Sequence, residues 1–397
     1  MKNIPIIIAL FITITNCGAQ ANKTFNSIMR TTGSATMWDR YKPVMYGFAE
    51  NPAVDISFPA TTLIATEGDS VHIKAKNISQ EHHTIHLHGL DVDMMNDGDP
   101  MTSFELDHQE KYTYRFKAKD AGTYLYHCHT ADVVHVQMGM YGLVVIKPVD
   151  PMTAWTGGPK FEKEYSFLMS ELDSTWHNKP PKHDPKNMTV MFPKYVPTYF
   201  LINGKSKQLF TDTILGKTGS NVYLRLANIG FYDNQVILPA ELNASIIDSD
   251  GRPLPKARKR DTLNISPGER YGVMINSANA IAGNIKVNFV EMNTQTIKGY
   301  ENIRYNINNT VGVEQLSENQ QFSIYPNPAN NIIYIATPHL IEGSISIFNS
   351  LGQQVKEQPI VSPTTECPIN NLPKGIYMVA ISNPNGTGVG KLKIVKQ

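Results

Sequence analysis

The stretch Tyr126-His127-Cys128-His129, with His135 seven residues past the cysteine and Met140 five residues past that, decides how this chain is read. In an extended strand successive side chains leave opposite faces, so His127 and His129 share one face and Cys128 takes the other. A second histidine-rich stretch, His82-His83-Thr84-Ile85-His86-Leu87-His88-Gly89, has the same alternation. His86 and His88 share a face, and His83, an odd step from both, takes the opposite one. Pairing the two strands puts His83 and Cys128 on one side, and His86, His88, His127 and His129 on the other.

Working outward, the period-two pattern recurs. Ser70-Val71-His72-Ile73-Lys74-Ala75 and Tyr112-Thr113-Tyr114-Arg115-Phe116 alternate, and Tyr141 to Ile146 is an apolar strand ended by Lys147-Pro148. These are marks of an antiparallel sandwich. A second β-rich region holds Tyr165 to Met169, Asn221 to Leu226 and Tyr271 to Ile275, separated by turn-forming Asp250-Gly251-Arg252-Pro253 and Pro267-Gly268-Glu269. The expected fold is all-β, with two sandwiches and a smaller third one. Residues 1–21 read as a signal peptide, 45–150 as a first domain after a polar, poorly patterned lead, and 161–294 as a second. Residues 295–321 read as a linker and 322–397 as a C-terminal unit.

The chemistry of the first side is specific. Two imidazoles, a thiolate and a distant thioether are the set that type 1 (blue) copper uses, so His83, Cys128, His135 and Met140 are its expected ligands. A buried free cysteine beside structural histidines is the plain alternative, and the spacing disfavours it. On the other side, four histidines without metal would repel one another when protonated and would be costly to bury. Additional copper is the simplest reason for them.

On these residues the chain resembles the multicopper oxidases. H-x-x-H-x-H-G is the family motif that supplies type 1, type 2 and type 3 ligands, and H-C-H supplies the type 1 cysteine between two cluster histidines. The stretch from Asn96-Asp97-Gly98 to Ala121-Gly122-Thr123-Tyr124 looks like part of one cupredoxin domain. Leu201 to Lys205, Arg225-Leu226-Ala227-Asn228 and Pro267 to Tyr271 look like part of another. The resemblance implies two Greek-key cupredoxin sandwiches and one-electron oxidation of a small reducing substrate at type 1 copper. Electrons would pass through Cys128 to His127 and His129, and onward to coppers that reduce dioxygen. By analogy Asp97 sits where the family places a proton-delivering carboxylate; a turn-forming role before Gly98 is equally open.

The pattern also departs from the family. The type 1 set lies in the first domain, and the second domain has only His177 and His183, both read as surface residues in a Pro/Lys-rich loop. One chain therefore offers four cluster histidines where the family uses eight. A homo-oligomer in which two first domains pool His86, His88, His127 and His129 would restore the number. A copper nitrite reductase-like arrangement fits His83, His88, His127 and Cys128 but lacks a third histidine from the second domain. A type 1 electron carrier without oxidase activity is the rival from another class. Met94, Met95, Met101 and Met138 are soft enough to handle cuprous ion, and equally can be packing residues.

Composition places the chain outside the cell. Lys2, the apolar run Ile4 to Ile14 and Ala19-Gln20-Ala21 read as a cleaved secretory signal, with lipid attachment at Cys17 as the other possibility. Among 397 residues there are only three cysteines, so an exported chain keeps Cys128 for chemistry and not for a disulfide. A formal net charge of +1 gives no footprint for nucleic acid or an anionic membrane. The C-terminal unit opens Tyr325-Pro326-Asn327-Pro328, then carries Asn349-Ser350-Leu351-Gly352-Gln353-Gln354-Val355 and Leu372-Pro373-Lys374-Gly375-Ile376-Tyr377. It resembles the sorting domain of the Por (type IX) secretion system, which implies the secretion machinery as a partner and a secreted or surface-attached protein.

Overall fold

A computed structural model of the chain describes residues 21–180, 192–308, 323–337, 343–349, 353–360, 362, 364–382 and 388–397. The expected signal segment, Cys17, His183 and His339 lie outside the described residues. The chain divides into one unit that ends at Asn309 and a second that begins at Thr310.

The first domain holds β1 (Asn22–Ser34), β2 (Val44–Ala49), β3 (Ala60–Thr66), β4 (Ser70–Asn77), β5 (His86–His88), α1 (Met94–Asp97), β6 (Lys111–Lys117), β7 (Gly122–His127), α2 (Asp132–Gln137) and β8 (Tyr141–Lys147). One sheet runs β2-β1-β4-β6 and faces another running β3-β8-β7-β5. Between them lie Ile73, Ile85, Leu87, Tyr114, Tyr126, Val144 and Ile146, all buried. The expected alternation is clearest in β4, where Val71, Ile73 and Ala75 turn inward. The domain starts earlier than expected. Residues 22–34, read as part of a poorly patterned lead, form β1, which pairs in parallel with β4 from Asn22↔Ser70 to Met29↔Asn77 and antiparallel with β2 from Ile28↔Ala49 to Ser34↔Val44. Only Ser27, Ile28 and Met29 of this strand are buried, so its sequence carries little apolar periodicity.

The second domain comprises β9 (Lys163–Leu172), α3 (Ser174–Asn178), β10 (Tyr199–Ile202), β11 (Thr213–Lys217), β12 (Val222–Asn228), β13 (Asp233–Ile237), β14 (Ser245–Ser249), β15 (Arg252–Lys259), β16 (Thr262–Ile265), β17 (Arg270–Ile275), β18 (Ile281–Glu291) and β19 (Thr296–Asn308). Its sheets run β10-β9-β12-β17-β14-β15 and β11-β19-β18-β13-β16. The strand β19 corrects the expected linker at 295–321: residues 296–307 pair with β18, with one bulge at Lys298. Ile303, Tyr305 and Ile307 alternate into the core with polar Arg304 and Asn306 between them, whereas Thr296 to Tyr300 at the start of the strand are exposed or half-buried and show no such period.

The two domains meet along β7. Arg225 of β12, fully buried, donates from Nε to Glu164 at 3.0 Å and from Nη1 to Thr123 Oγ1 at 3.0 Å. A Cβ on Gly122 would lie 2.7 Å from Gly251 Cα, so backbone packs against backbone at this joint. In the C-terminal unit a three-stranded and a four-stranded sheet enclose Ile333, Ile335, Ile345, Ile347, Val379 and Ile381. It is a small β-sandwich, as expected.

Candidate metal centre

The register of β5 and β7 positions both sides of the centre. His86 pairs with His127, Leu87 with Tyr126 and His88 with Leu125. Tyr126 and Leu87 turn into the core, which sends His86, His88 and His127 outward from it. Cys128 follows β7 with the opposite sense and is fully buried in the core that Tyr126 occupies.

On the core side, His83, Cys128 and His135 converge, with one ligand atom of each lying within 4.8 Å of the others. His135 Nδ1 lies 3.2 Å from Cys128 Sγ and His83 Nδ1 3.6 Å from it. The outer nitrogens of both rings are already engaged. His83 Nε2 is 2.7 Å from Ser79 Oγ, which donates its own proton to the Glu81 carbonyl at 3.0 Å. His135 Nε2 donates to Glu81 Oε2 at 2.9 Å. Both Nδ1 atoms are thus held toward the sulfur, the orientation that outer hydrogen bonds impose on ligating imidazoles. Met140 is buried in the same core, and its carbonyl accepts the Cys128 N–H at 3.0 Å. Burial drives His83 well below the usual histidine pKa. For His135 burial works the same way, but the Cys128 thiolate and Glu81 outweigh it and raise the pKa to about 9. The site therefore favours a positive charge between sulfur and ring, and a soft cation meets that demand with thiolate, imidazole and thioether donors.

The loop that supplies His135 and Met140 contains α2, a turn of helix that the sequence reading did not anticipate. It starts at Ala131 with φ 44° and closes at Gly139 with φ 113°. A Cβ on Gly139 would lie 2.9 Å from the Tyr46 carbonyl, so only glycine lets the loop lie this close to β2.

On the other side, the nitrogens of His86, His88 and His127 gather within 4.8 Å. The His129 ring lies 4.9 Å from that of His86 and 5.7 Å from that of His127. Again one nitrogen of each ring is fixed. His86 Nδ1 donates to the Asp97 carbonyl at 2.8 Å, and His127 Nδ1 to the Cys128 carbonyl at 3.0 Å, which turns each Nε2 away from these carbonyls. His88 Nδ1 is 3.4 Å from His127 Nε2. Burial lowers the pKa of His127 to about 3, and burial with the nearby Arg270 guanidinium lowers that of His88 to about 4. The His88 and His127 rings are thus neutral near pH 7, the form that binds metal. Asp97, the last residue of α1, places its carboxylate 3.4 Å from His86 Nδ1. The donor sets on both sides fit copper.

Several site residues carried no sequence signal. Glu81, Ser79 and Arg270 act through hydrogen bonds or charge and belong to no spacing motif. His177, read as a surface residue, is fully buried, with Nδ1 2.6 Å from the Val44 carbonyl and Nε2 3.0 Å from the Gln137 carbonyl. No metal-spaced partner marks it in sequence; its neighbours come from the first domain. His82 and His108 are exposed and His72 is half-buried. Of the four methionines, Met138 is core packing, whereas Met94, Met95 and Met101 are exposed.

Comparison with known families bears directly on these donor sets. A multicopper oxidase model matches residues 35–151, a second multicopper oxidase model matches 168–304, and the two together span more than half of the chain. The chain belongs to the multicopper oxidases. A secretion-system C-terminal sorting domain matches residues 323–396, which points to secretion or surface attachment for this multicopper oxidase. Copper resistance protein A of Escherichia coli is 37% identical over 114 residues, covering 28% of this chain and 18% of that protein. Laccase-15 of Oryza sativa subsp. japonica is 28% identical over 237 residues, covering 56% and 38%. The chain thus spans less than half the length of either relative. Among solved structures, the blue copper oxidase of Nitrosomonas europaea superposes with a TM-score of 0.60 at 29% identity, over 74% of this chain and 88% of that one. The copper nitrite reductase of Nitrosomonas europaea shares the fold, with a TM-score of 0.54 at 18% identity over 74% and 95%.

Proposed function

We propose that this multicopper oxidase is an exported copper-dependent oxidoreductase that takes single electrons from a small reducing substrate and passes them to dioxygen. Type 1 copper would be held by His83, Cys128, His135 and Met140, and further copper by His86, His88, His127 and His129. Bound copper would supply a one-electron acceptor on the cysteine side and a dioxygen-reducing site on the histidine side. The observation that carries the reading is the orientation of His83 and His135. Both offer Nδ1 to Cys128 Sγ, with Nε2 engaged elsewhere.

The chain's own residues divide the remaining work. Cys128 is bonded directly to His127 and His129, so the polypeptide gives a short covalent path between the two sides. Glu81 joins the His135 ring to solvent, with its side chain 47% exposed, so a reductant that meets Glu81 is one hydrogen bond from a type 1 ligand. Asp97 stands beside His86 and is the candidate proton donor for oxygen reduction.

Four histidines per chain suit a cluster pooled by an isologous pair, which would hold about 2.5 coppers per chain. A second reading has support in the three-histidine convergence of His86, His88 and His127, which suits one copper held within a single chain. That arrangement gives about two coppers per chain, and a bare type 1 electron carrier gives about one. Copper quantification with paramagnetic spectroscopy separates the three. Rapid return of blue colour when the reduced protein meets air supports the oxidase, and its failure rejects it.

A further inference from the structure

The second domain offers no ligand to either side among its described residues, yet it grips the ligand loop through hydrogen bonds at one point, beside the apolar cluster that Val136 shares with Leu168, Ala227 and Ile229. That point is Gln137, between His135 and Met140 and 5% exposed. Its Nε2 donates to the Glu171 carbonyl at 3.1 Å and to Tyr195 Oη at 2.8 Å. Its Oε1 accepts the Asp173 N–H at 2.9 Å. Its main-chain carbonyl faces His177 Nε2 at 3.0 Å, while His177 Nδ1 reaches Val44 at the start of β2. Every polar atom of the Gln137 side chain is thus used, and every partner comes from β9, α3 or the segment before β10.

Within its own domain, among the described residues, the loop's one long-range side-chain hydrogen bond is that of His135 Nε2 to Glu81 Oε2 at 2.9 Å. There the loop is tied by the Tyr46 N–H to the Met138 carbonyl at 2.9 Å and by the Cys128 N–H to the Met140 carbonyl at 3.0 Å. His135 and Met140 flank Gln137 by two and three residues, so a displacement of Gln137 moves both. The potential of a type 1 copper is sensitive to its long axial contact and to hydrogen bonding around the sulfur.

The geometry points to Gln137 as a positioning residue through which the second domain sets the placement of His135 and Met140, and so tunes the type 1 copper. This rests on the type 1 reading above. It gives the second domain a task, to hold the loop that carries His135 and Met140.

The test uses the full-length, copper-loaded protein and reads the thiolate-to-copper absorption, the paramagnetic hyperfine splitting and the midpoint potential. Gln137→Met keeps the volume and removes all three side-chain hydrogen bonds. Tyr195→Phe removes only one of them and is the milder variant should Gln137→Met not fold. Asn276→Ala is the control: it deletes hydrogen bonds to the Gly219 carbonyl and to Asn221 Oδ1 in the same domain, at the end of the β9–β12 pair opposite to Glu171. The expected result is about a tenfold change in the reduction equilibrium for Gln137→Met, or ~59 mV for a one-electron couple. A smaller shift of the same sign is expected for Tyr195→Phe, and none for Asn276→Ala. Wild-type spectra and potential in both loop variants would overturn the proposal, as would an equal shift in the control. A wild-type protein with no blue absorption would instead overturn the type 1 reading beneath it.

Discussion

The main-chain N–H of Cys128 donates to the carbonyl of Met140 at 3.0 Å, so the two ends of the ligand loop are closed by one backbone hydrogen bond. That bond makes the thioether position a property of the backbone, and it allows the two sulfur ligands to be tested separately.

Cys128→Ser should abolish the blue absorption while leaving the far-ultraviolet β signature intact, since it exchanges one atom in a packed core. Met140→Leu should keep the blue colour and raise the midpoint potential, because loss of a weak electron donor favours the reduced metal. The expected rise is about tenfold in the reduction equilibrium, ~59 mV. Redox titration checks it; an unchanged potential removes Met140 from the ligand set.

Glu81 is the exposed group hydrogen-bonded to His135, and Tyr46 also donates to it at 3.2 Å. Glu81→Gln retains an acceptor for the ring and removes the negative charge. Bound copper should stay, while oxidation of cationic reductants should slow by roughly 3- to 10-fold, with a weaker dependence on salt. Steady-state kinetics with a cationic and an anionic reductant reads the difference. Equal slowing of both would mean that the carboxylate acts by holding His135 and not by its charge.

The strand framework and both donor sets were legible because they follow a period of two. Val71, Ile73 and Ala75 announce β4, and the H-C-H tripeptide announces two faces. Strands β1 and β19 were not. Strand β1 buries little apolar surface and is held by parallel pairing with a distant strand. In β19 the alternation of Ile303, Tyr305 and Ile307 is confined to the second half, and Thr296 to Tyr300 before it are exposed or half-buried with no such period. Glu81, Arg270, Gln137 and His177 were invisible for a further reason. Each is defined by a partner far away in sequence, as when Gln137 meets Asp173.

Glu171 is a buried carboxyl whose pKa burial pushes up to about 7, even though the Phe231 and Tyr232 N–H groups and Tyr195 hydrogen-bond to it. The unfolded chain releases this proton at the ordinary value of 4.5, so between 4.5 and about 7 the folded state binds more protons. Its stabilising contribution is therefore complete below 4.5 and is lost as pH rises toward 7, a change on the order of 3 kcal/mol. Glu171→Gln keeps the acceptor oxygen and removes the titration. The variant should gain stability relative to wild type as pH is raised from 4.5 to 7, read from urea midpoints. A constant difference across that range would contradict the assignment.

Gly98 adopts φ 72°, and a Cβ there would lie 2.0 Å from the Ile85 carbonyl. Gly98→Ala should therefore displace α1 and the Asp97 carbonyl that fixes His86, costing about 2 kcal/mol or more. It should weaken copper on the histidine side before the cysteine side. Paramagnetic spectra of the variant, resolved into the two copper classes, check the order of loss.

Copper quantification with optical and paramagnetic spectra, on wild-type protein and Cys128→Ser side by side, is the most direct measurement of all. Two metal environments back to back across β7 predict more than one copper per wild-type chain, with the blue, narrowly split signal alone disappearing in the variant while copper on the histidines persists. A wild-type protein that holds a single copper per chain, or a variant that loses both signals together, would contradict the account.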